Sequence, residues 1–486
     1  MRLSPRSDER LVGIALLIGI VVLAAALRFA DIGEESYWLD EITLVREVQA
    51  LDRQPVYLAL GYAWARLFGT TEAATRSLSA LAGIGSICVV YFVGKELYRR
   101  QVGVLAALIM ALSVFQIWYS QEFRYLAVLQ FVALLAAFFY LMWMRYHYRI
   151  DFCAFVVSAV LSAYIHPYVA FLYIGLGLHF LTQWRTATPG KRLLWFASQV
   201  AISAVIYSAS TSMRGGGTPV VEWVPVPPPY APLRTLINFV FAQRDYLSWV
   251  VIGGAAAVWL IGMVALAFTR RAAWSADARA ALRALLRRPD SGTMLLLLWL
   301  FTPIVLLFAL SLVVAPMYVD RFLIPAAPAW YVLIAALLWS LRRVIPLPLS
   351  IGVLLILFAG ALNTYYTRSL KEQWRETAAY IQQNIAPGDV VAISYGNFPG
   401  DAFNIYNSFS WYYPNVSSEC YVDVRSDAVA ADLTTCGASG ERLWLVVYTA
   451  NPGGEPLRLE RPVGQYTLMK SREFIGTSVY LFDLYP

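Results

Sequence analysis

Apolar runs, each near the length of a spanning helix, alternate along this chain with short basic stretches and with longer acidic or aromatic ones. A helix crossing the hydrocarbon core needs about 20 mostly apolar residues. Eleven runs approach that length: 10–29, 75–97, 102–119, 124–144, 150–165, 167–184, 194–210, 246–269, 292–315, 322–341 and 345–363. The fifth and sixth form one run broken at Tyr164-Ile165-His166-Pro167. Proline disrupts a helix interior, and the total length suits two short or tilted helices better than one. Segment 30–74 is mixed; residues 41–50 and 56–67 have helical apolar spacing and predict short helices along the membrane surface. Segment 211–245 carries Gly215-Gly216-Gly217 and Pro225-Val226-Pro227-Pro228-Pro229. Such a stretch cannot span, and reads as a long outer loop, mobile over a site. Beyond about Tyr365 the pattern becomes that of a soluble domain. Residues 373–385 predict an amphipathic helix stopped at Ala386-Pro387-Gly388, and 389–394, 443–448 and 478–483 predict buried strands. The expected architecture is a polytopic α-helical membrane domain over residues 1–364, then a small extracytoplasmic α/β domain over 365–486.

Composition agrees: 59% of residues are hydrophobic and 14% charged, more apolar surface than a soluble chain of 486 residues could hide. The net charge of +7 would suggest nucleic acid in a soluble protein. Here the cations sit in short loops between spans, where they set orientation, so no nucleic-acid partner is expected. Arg2, Arg6 and Arg10, Lys95 with Arg99 and Arg100, Arg145 with Arg149, Arg185 to Arg192, the arginines of 270–288, and Arg342 with Arg343 all fall on one side. That side is cytoplasmic by the positive-inside rule. An odd number of spans then puts the N-terminus in the cytoplasm and the tail outside, in a multi-pass protein of the inner (plasma) membrane. Cys420 and Cys436 lie in the polar tail, where a disulfide can join them if that region is extracytoplasmic. No His/Cys spacing suggests structural zinc.

The chemistry-bearing residues concentrate on the outer side. Tyr37-Trp38-Leu39-Asp40-Glu41 follows the first span, and Gln121-Glu122-Phe123-Arg124-Tyr125 joins the third and fourth. Asp40 or Glu41 can act as general base on an incoming hydroxyl, or form a solvated acidic turn at a helix start. Glu122 can pair with Arg124, or the arginine can meet a phosphate while the acid serves an acceptor or a metal. His166 sits at the outer bend, and Asp320-Arg321 at the mouth of a later span, where the arginine can hold an anionic group or snorkel to lipid phosphates. Carboxylates and arginines at one membrane edge suit a substrate with a lipid tail and a phosphate. There is no Walker loop and no Gly-x-Gly-x-x-Gly opening a soluble helix, so no nucleotide site is expected.

At these residues the chain resembles a known group. Trp38-Leu39-Asp40-Glu41, Pro55-Val56-Tyr57, Leu67-Phe68-Gly69 with Glu72 and Arg76, Trp118-Tyr119-Ser120-Gln121-Glu122 with Arg124-Tyr125, Asp320 to Pro325, and Gln373-Trp374-Arg375 are similar to bacterial family 39 and family 83 glycosyltransferases. These include protein O-mannosyltransferase-like and lipid A aminoarabinose transferase-like enzymes. The resemblance implies the GT-C fold with about eleven transmembrane helices. It implies inverting transfer of a hexosyl or pentosyl group from a polyprenyl-phosphate donor to a hydroxyl of an acceptor glycan, lipid or protein, at the outer face. Asp40 is then the candidate catalytic carboxylate, with Glu41 and Glu122 placing the acceptor or binding a divalent cation. Arg124 and Arg321 would face the donor phosphate; Tyr37, Trp38, Tyr57, Gln121, Tyr125, His166 and Asp320 would bind substrate. If a metal binds, Asp40, Glu122 and His166 are its candidate ligands. Many relatives carry His-Pro-Pro where this chain has Arg53-Gln54-Pro55, which weighs against a metal-dependent variant. The rival reading is a transporter or flippase of lipid-linked glycans. That function places ionisable groups near the midplane of the spans, where this sequence has almost none.

Overall fold

A computed structural model describes residues 5–50, 56–213, 224–242, 252–258, 260, 290–394, 402–416, 420, 442–449 and 467–483. The chain divides into two compact units. The first comprises Met1–Ala30, Arg53–Ala63 and Arg76–Thr367; the second comprises Asp31–Asp52, Trp64–Thr75 and Arg368–Pro486. Two stretches between α1 and α4, residues 31–52 and 64–75, therefore group with the carboxyl-terminal residues rather than with the spans.

The helices, in chain order, are α1 (Pro5–Phe29), α2 (Leu39–Ala50), α3 (Tyr57–Phe68), α4 (Glu72–Leu97), α5 (Arg100–Leu112), α6 (Val114–Ser120), α7 (Tyr125–Tyr146), α8 (Arg149–Ile165), α9 (Ala170–Thr182), α10 (Pro189–Met213) and α11 (Ala231–Phe241). Then follow α12 (Ser291–Val313), α13 (Ala327–Leu341), α14 (Leu347–Thr367), α15 (Trp374–Asn384) and α16 (Ala402–Tyr412). Short 3-10 turns, Pro167–Val169 and Asp320–Ala326, precede α9 and α13. Among the described residues, seven helices are long and apolar enough to cross a membrane, or eight if α5 and α6 count as one broken span. The protein is thus a multi-pass membrane protein. Expected spans 150–165 and 167–184 are the shorter helices α8 and α9, and 246–269 lies largely outside the described residues.

Two features depart from the sequence reading. The expected span 102–119 is bent by 61° between α5 and α6. Ser113 stands at the bend and accepts the Gln116 N–H, capping α6. The last carbonyls of α5 are met by the buried Arg28 guanidinium, which donates to Met110 O at 3.3 Å and Ala111 O at 3.2 Å. A cation there also complements the negative end of the helix dipole. Segment 211–245, expected as a loop, contains α11, which packs on α6, α12 and α13. Close crossing of α4 and α5 rests on Gly94 and Gly103: a Cβ built at Gly94 would lie 2.9 Å from Gly103 Cα. Small residues permit such approach where hydrophobic collapse cannot drive association.

In the second unit, β1 (Val390–Ser394), β2 (Arg442–Tyr448), β3 (Thr467–Phe474) and β4 (Thr477–Asp483) form one sheet in the order β1-β2-β4-β3. The β1–β2 pair is parallel and the others antiparallel. Strands β2 and β4 are buried almost throughout, whereas β3 is an exposed edge. The amphipathic helix expected near 373–385 is α15, and the three expected strands are β1, β2 and β4.

Candidate functional site

The first unit gathers three separated turns around one aromatic column. His166 stacks on Tyr125, ring centroids 4.9 Å apart at 14°, and on Phe322 at 5.4 Å and 20°. Tyr168 closes the column edge-on to both His166 and Phe322. The two candidate phosphate arginines are sequence neighbours of the stacked rings. Arg124 lies over Tyr125 and Arg321 over Phe322, each 5.5 Å from the ring centroid. Tyr57 packs edge-on to Tyr125 at 6.3 Å and against Phe123 at 6.1 Å, and is 2% exposed, so it supports the column. Nδ1 of His166 accepts the Tyr168 N–H at 3.3 Å, so the neutral ring carries its proton on Nε2. Burial first, and the Arg124 charge second, push His166 down to about 3, keeping it neutral.

Around this column each turn is tied down. Glu122 accepts the Trp118 indole N–H at 2.5 Å. Gln121 donates to the carbonyls of Leu27, Arg28 and Ala30, the last at 2.7 Å, and accepts from Tyr365 OH at 2.6 Å. It joins the end of α1 and the end of α14 to the turn, which is positioning work. Asp320 takes Thr235 Oγ1–H on one oxygen and Asn238 Nδ2–H on the other, both at 2.5 Å. Its carboxylate binds the Arg321 turn to α11, and Tyr318 OH lies 2.7 Å from the same threonine hydroxyl.

The second unit holds Tyr37, Trp38, Asp40 and Glu41. Acids at the start of α2 are favoured by its dipole. Glu41 is fully buried, receives the Trp38 N–H at 3.4 Å and pairs with Lys371 at 3.7 Å. Glu372 accepts Leu39 N–H at 3.0 Å, Trp374 Nε1–H at 2.6 Å and Tyr448 OH at 2.8 Å. Burial raises its pKa; those three hydrogen bonds oppose the rise, and the nearby Asp40 charge adds to it. Asp40 and Glu372 are therefore neighbouring carboxylates. Tyr37 donates through its backbone N–H to Tyr412 OH at 2.9 Å, and Tyr412 donates to Glu72 at 2.7 Å. Tyr412 is pushed up, chiefly by burial and then by the Glu72 charge.

The structure thus brings Gln121, Glu122, Arg124, Tyr125, His166, Asp320, Arg321 and Tyr57 into one region of the first unit, and sets Tyr37, Trp38, Asp40 and Glu41 within the second. Lys371, Glu372 and Tyr412 were not singled out from sequence. The signal available was the ionisable pair directly before Gln373-Trp374-Arg375. Among the described residues, no group of three or more His, Cys, Asp or Glu side chains is arranged to hold a metal ion. Cys420 is disulfide-bonded, Cys88 and Cys153 are free, and Cys436 lies outside the described residues, as do Arg53-Gln54-Pro55 and Gly215-Gly216-Gly217.

No family model and no curated protein matches this sequence. Solved structures do. ArnT from Cupriavidus metallidurans bound to undecaprenyl phosphate aligns at a TM-score of 0.53 and 11% identity, over 96% of this chain and 97% of that one. The same enzyme in the apo state aligns at 0.51 and 13%, over 97% and 98%. The oligosaccharyltransferase AglB from Archaeoglobus fulgidus, in complex with an inhibitory peptide and a dolichol-phosphate, aligns at 0.50 and 12%, over 91% of this chain and 70% of that one. At such identities the likeness speaks of architecture, and with the helices and the mixed sheet described above it shows that this chain has the GT-C fold of membrane glycosyltransferases.

Proposed function

We propose that this protein transfers a sugar from a polyprenyl-phosphate donor to an acceptor hydroxyl, with inversion, on the outer side of the membrane. The observation that carries the reading is the column Tyr125–His166–Phe322, which holds Arg124 and Arg321 on one framework within a GT-C fold. Two solved neighbours with this fold hold polyprenyl phosphates, undecaprenyl in one and dolichol in the other.

Asp40 removes the proton from the acceptor hydroxyl, whose oxygen attacks C1 of the sugar from the face opposite the leaving group. The C1–O bond to phosphate breaks and its electrons leave with the polyprenyl phosphate. The donor phosphodiester bears one negative charge and the product monoester gains another. Fixed guanidinium groups therefore bind the leaving group more tightly as the bond breaks, which lowers the barrier. The burial of Glu41 against Lys371 at the start of α2 supports reading Asp40, rather than Glu41, as the base. Neutral His166 offers an Nε2–H as hydrogen-bond donor without adding charge.

The test is transfer by the purified chain from a polyprenyl-phosphate-linked sugar. Asp40→Asn is expected to lower the rate about 10²–10⁴-fold with donor binding retained, as for loss of a general base. Arg124→Gln and Arg321→Gln are each expected to cost about 10²–10³-fold. Wild-type rate in Asp40→Asn removes the base assignment; wild-type protein inert toward every such donor removes the reaction.

A further inference from the structure

Arg28, in the last turn of α1, is completely buried. Its Nε–H donates to Ser120 Oγ at 3.2 Å, at the end of α6. Its other nitrogens donate to the carbonyls of Ala24 at 3.3 Å, Ala111 at 3.2 Å and Met110 at 3.3 Å. Among the described residues its acceptors are all neutral. Burying a cation at the end of a span is costly unless the cation does something there. Helix α4 is shaped to the Arg28–Ser120 pair. A Cβ added at Gly83 would overlap Ser120 Oγ and lie 3.1 Å from Arg28 Nε, so glycine leaves the room that this bond needs. One helical turn earlier, on the same face of α4, Ser79 Oγ–H donates to Arg124 O at 3.3 Å. Helix α4 therefore meets the turn between α6 and α7 at both of its ends. Within the turn, Gln121 N–H donates to Ile117 O and Trp118 O, and Arg124 N–H donates to Glu122 O at 2.9 Å. The main chain beside Arg28 takes part as well, accepting Gln121 Nε2–H at Leu27 O and Arg28 O, and Tyr366 OH at Leu27 O.

We propose that Arg28 is a positioning residue, whose guanidinium fixes the turn from Ser120 to Tyr125 and through it the place of Arg124. Its consequence for transfer rests on the reading of Arg124 as a ligand of the donor phosphate. The geometry calls for a guanidinium. Helix α6 leaves α5 at 61°, so the last carbonyls of α5 and the serine that ends α6 belong to two differently directed segments. One planar fork holds Met110 O and Ala111 O on one side of the bend and Ser120 Oγ on the other. A single rigid group thereby sets the angle between the two segments. An ammonium, a point charge on a flexible stem, cannot hold all three acceptors in that arrangement. Arg124 follows Ser120 by one short turn, so an error in the angle is carried to its guanidinium. Displacing such a group by about 1 Å can cost about 10²-fold in rate.

The test reads amide hydrogen–deuterium exchange of the full chain in phosphatidylcholine nanodiscs, together with transfer from a polyprenyl-phosphate-linked sugar. Arg28→Gln is expected to speed exchange over residues 119–125 about tenfold, with α7 and α12 near wild type. It is expected to lower kcat/KM for the donor about 10²-fold and to leave the acceptor KM unchanged. Arg28→Lys should resemble Arg28→Gln, because charge alone does not reproduce the fork. Should Arg28→Gln fail to fold, Gly83→Ala keeps the charge and drives Ser120 Oγ off its bond; it is expected to loosen the same residues and to lower kcat/KM about tenfold. Wild-type exchange over 119–125 in both Arg28→Gln and Gly83→Ala overturns the proposal. So does an acceleration spread equally over α1, α5 and α7, which would make Arg28 a group that stabilises the fold as a whole. A loosened turn with wild-type kcat/KM for the donor overturns the link to Arg124. A wild-type chain inert toward every donor, whose turn still loosens in both variants, removes the reaction and supports the hold of Arg28 on the turn.

Discussion

Glu41 and the Lys371 side chain are 0% and 3% exposed and form a buried ion pair. Removing one partner takes the opposite charge away from a buried group. Lys371→Met is therefore expected to destabilise the second unit by about 3–5 kcal/mol, seen as a lower melting temperature; a loss under 1 kcal/mol would mean that Glu41 finds other solvation. Two further carboxylates in this unit respond to pH with opposite signs. Glu372 is held above its ordinary 4.5 by burial. The native state then binds its proton more tightly than the unfolded chain, so its contribution declines as pH rises from about 4.5 through the folded value. Glu372→Gln removes that dependence, and the stability difference between wild type and variant should shrink as pH rises. Burial also acts upward on Asp389, but the Arg442 pair at 2.7 Å, the Ala386 N–H and the Trp444 indole outweigh it and hold it below 3.8. Its contribution is present above 3.8 and lost as pH falls, a slope that Asp389→Asn should abolish in an acid titration of stability.

Helix α11 and the turn before α13 define each other. Thr235 and Asn238 of α11 donate to Asp320, while Ser113 Oγ–H and Tyr331 OH donate to Phe239 O, and Trp330 Nε1–H donates to Leu236 O. Asp320→Ala leaves two donors without their acceptor and is expected to cost about 1–3 kcal/mol, with donor affinity falling because the Arg321 turn loses its anchor. Unchanged melting and unchanged donor KM would show that the turn holds itself. None of this was legible locally, because the segment before α11 is dominated by glycine and proline, which describe a loop and do not announce the helix that ends it. Strand β3 escaped sequence reading for a related reason. Its Lys470, Arg472 and Glu473 suit an exposed edge, where charge deters pairing with another chain, and no apolar alternation marks it. Helix α16 is rich in Asn, Ser and aromatic residues of modest helix propensity, and exists through burial of Ile405 and Phe409.

At the scale of the whole chain, alternation of basic and acidic-aromatic loops predicts a single topology. Reporters placed after Arg145 and Arg185 should be cytosolic, and reporters at Gln121 and in α16 exoplasmic. A cytosolic signal at Gln121 would put the Arg124 region on the wrong side for the proposed reaction. Spans could be read from sequence because the cost of placing each residue in hydrocarbon is local and nearly additive along a helix. The candidate residues were legible as types: acids and arginines at span ends are expensive to keep unless they do something. What each does was not. Only tertiary structure set His166 between Tyr125 and Phe322, gave Gln121 and Asp320 to the scaffold, and buried Glu41 against Lys371. Such pairings join residues distant in sequence, and burial, stacking and the geometry of a shared hydrogen bond belong to the folded chain, where no local pattern of apolar and polar positions encodes them.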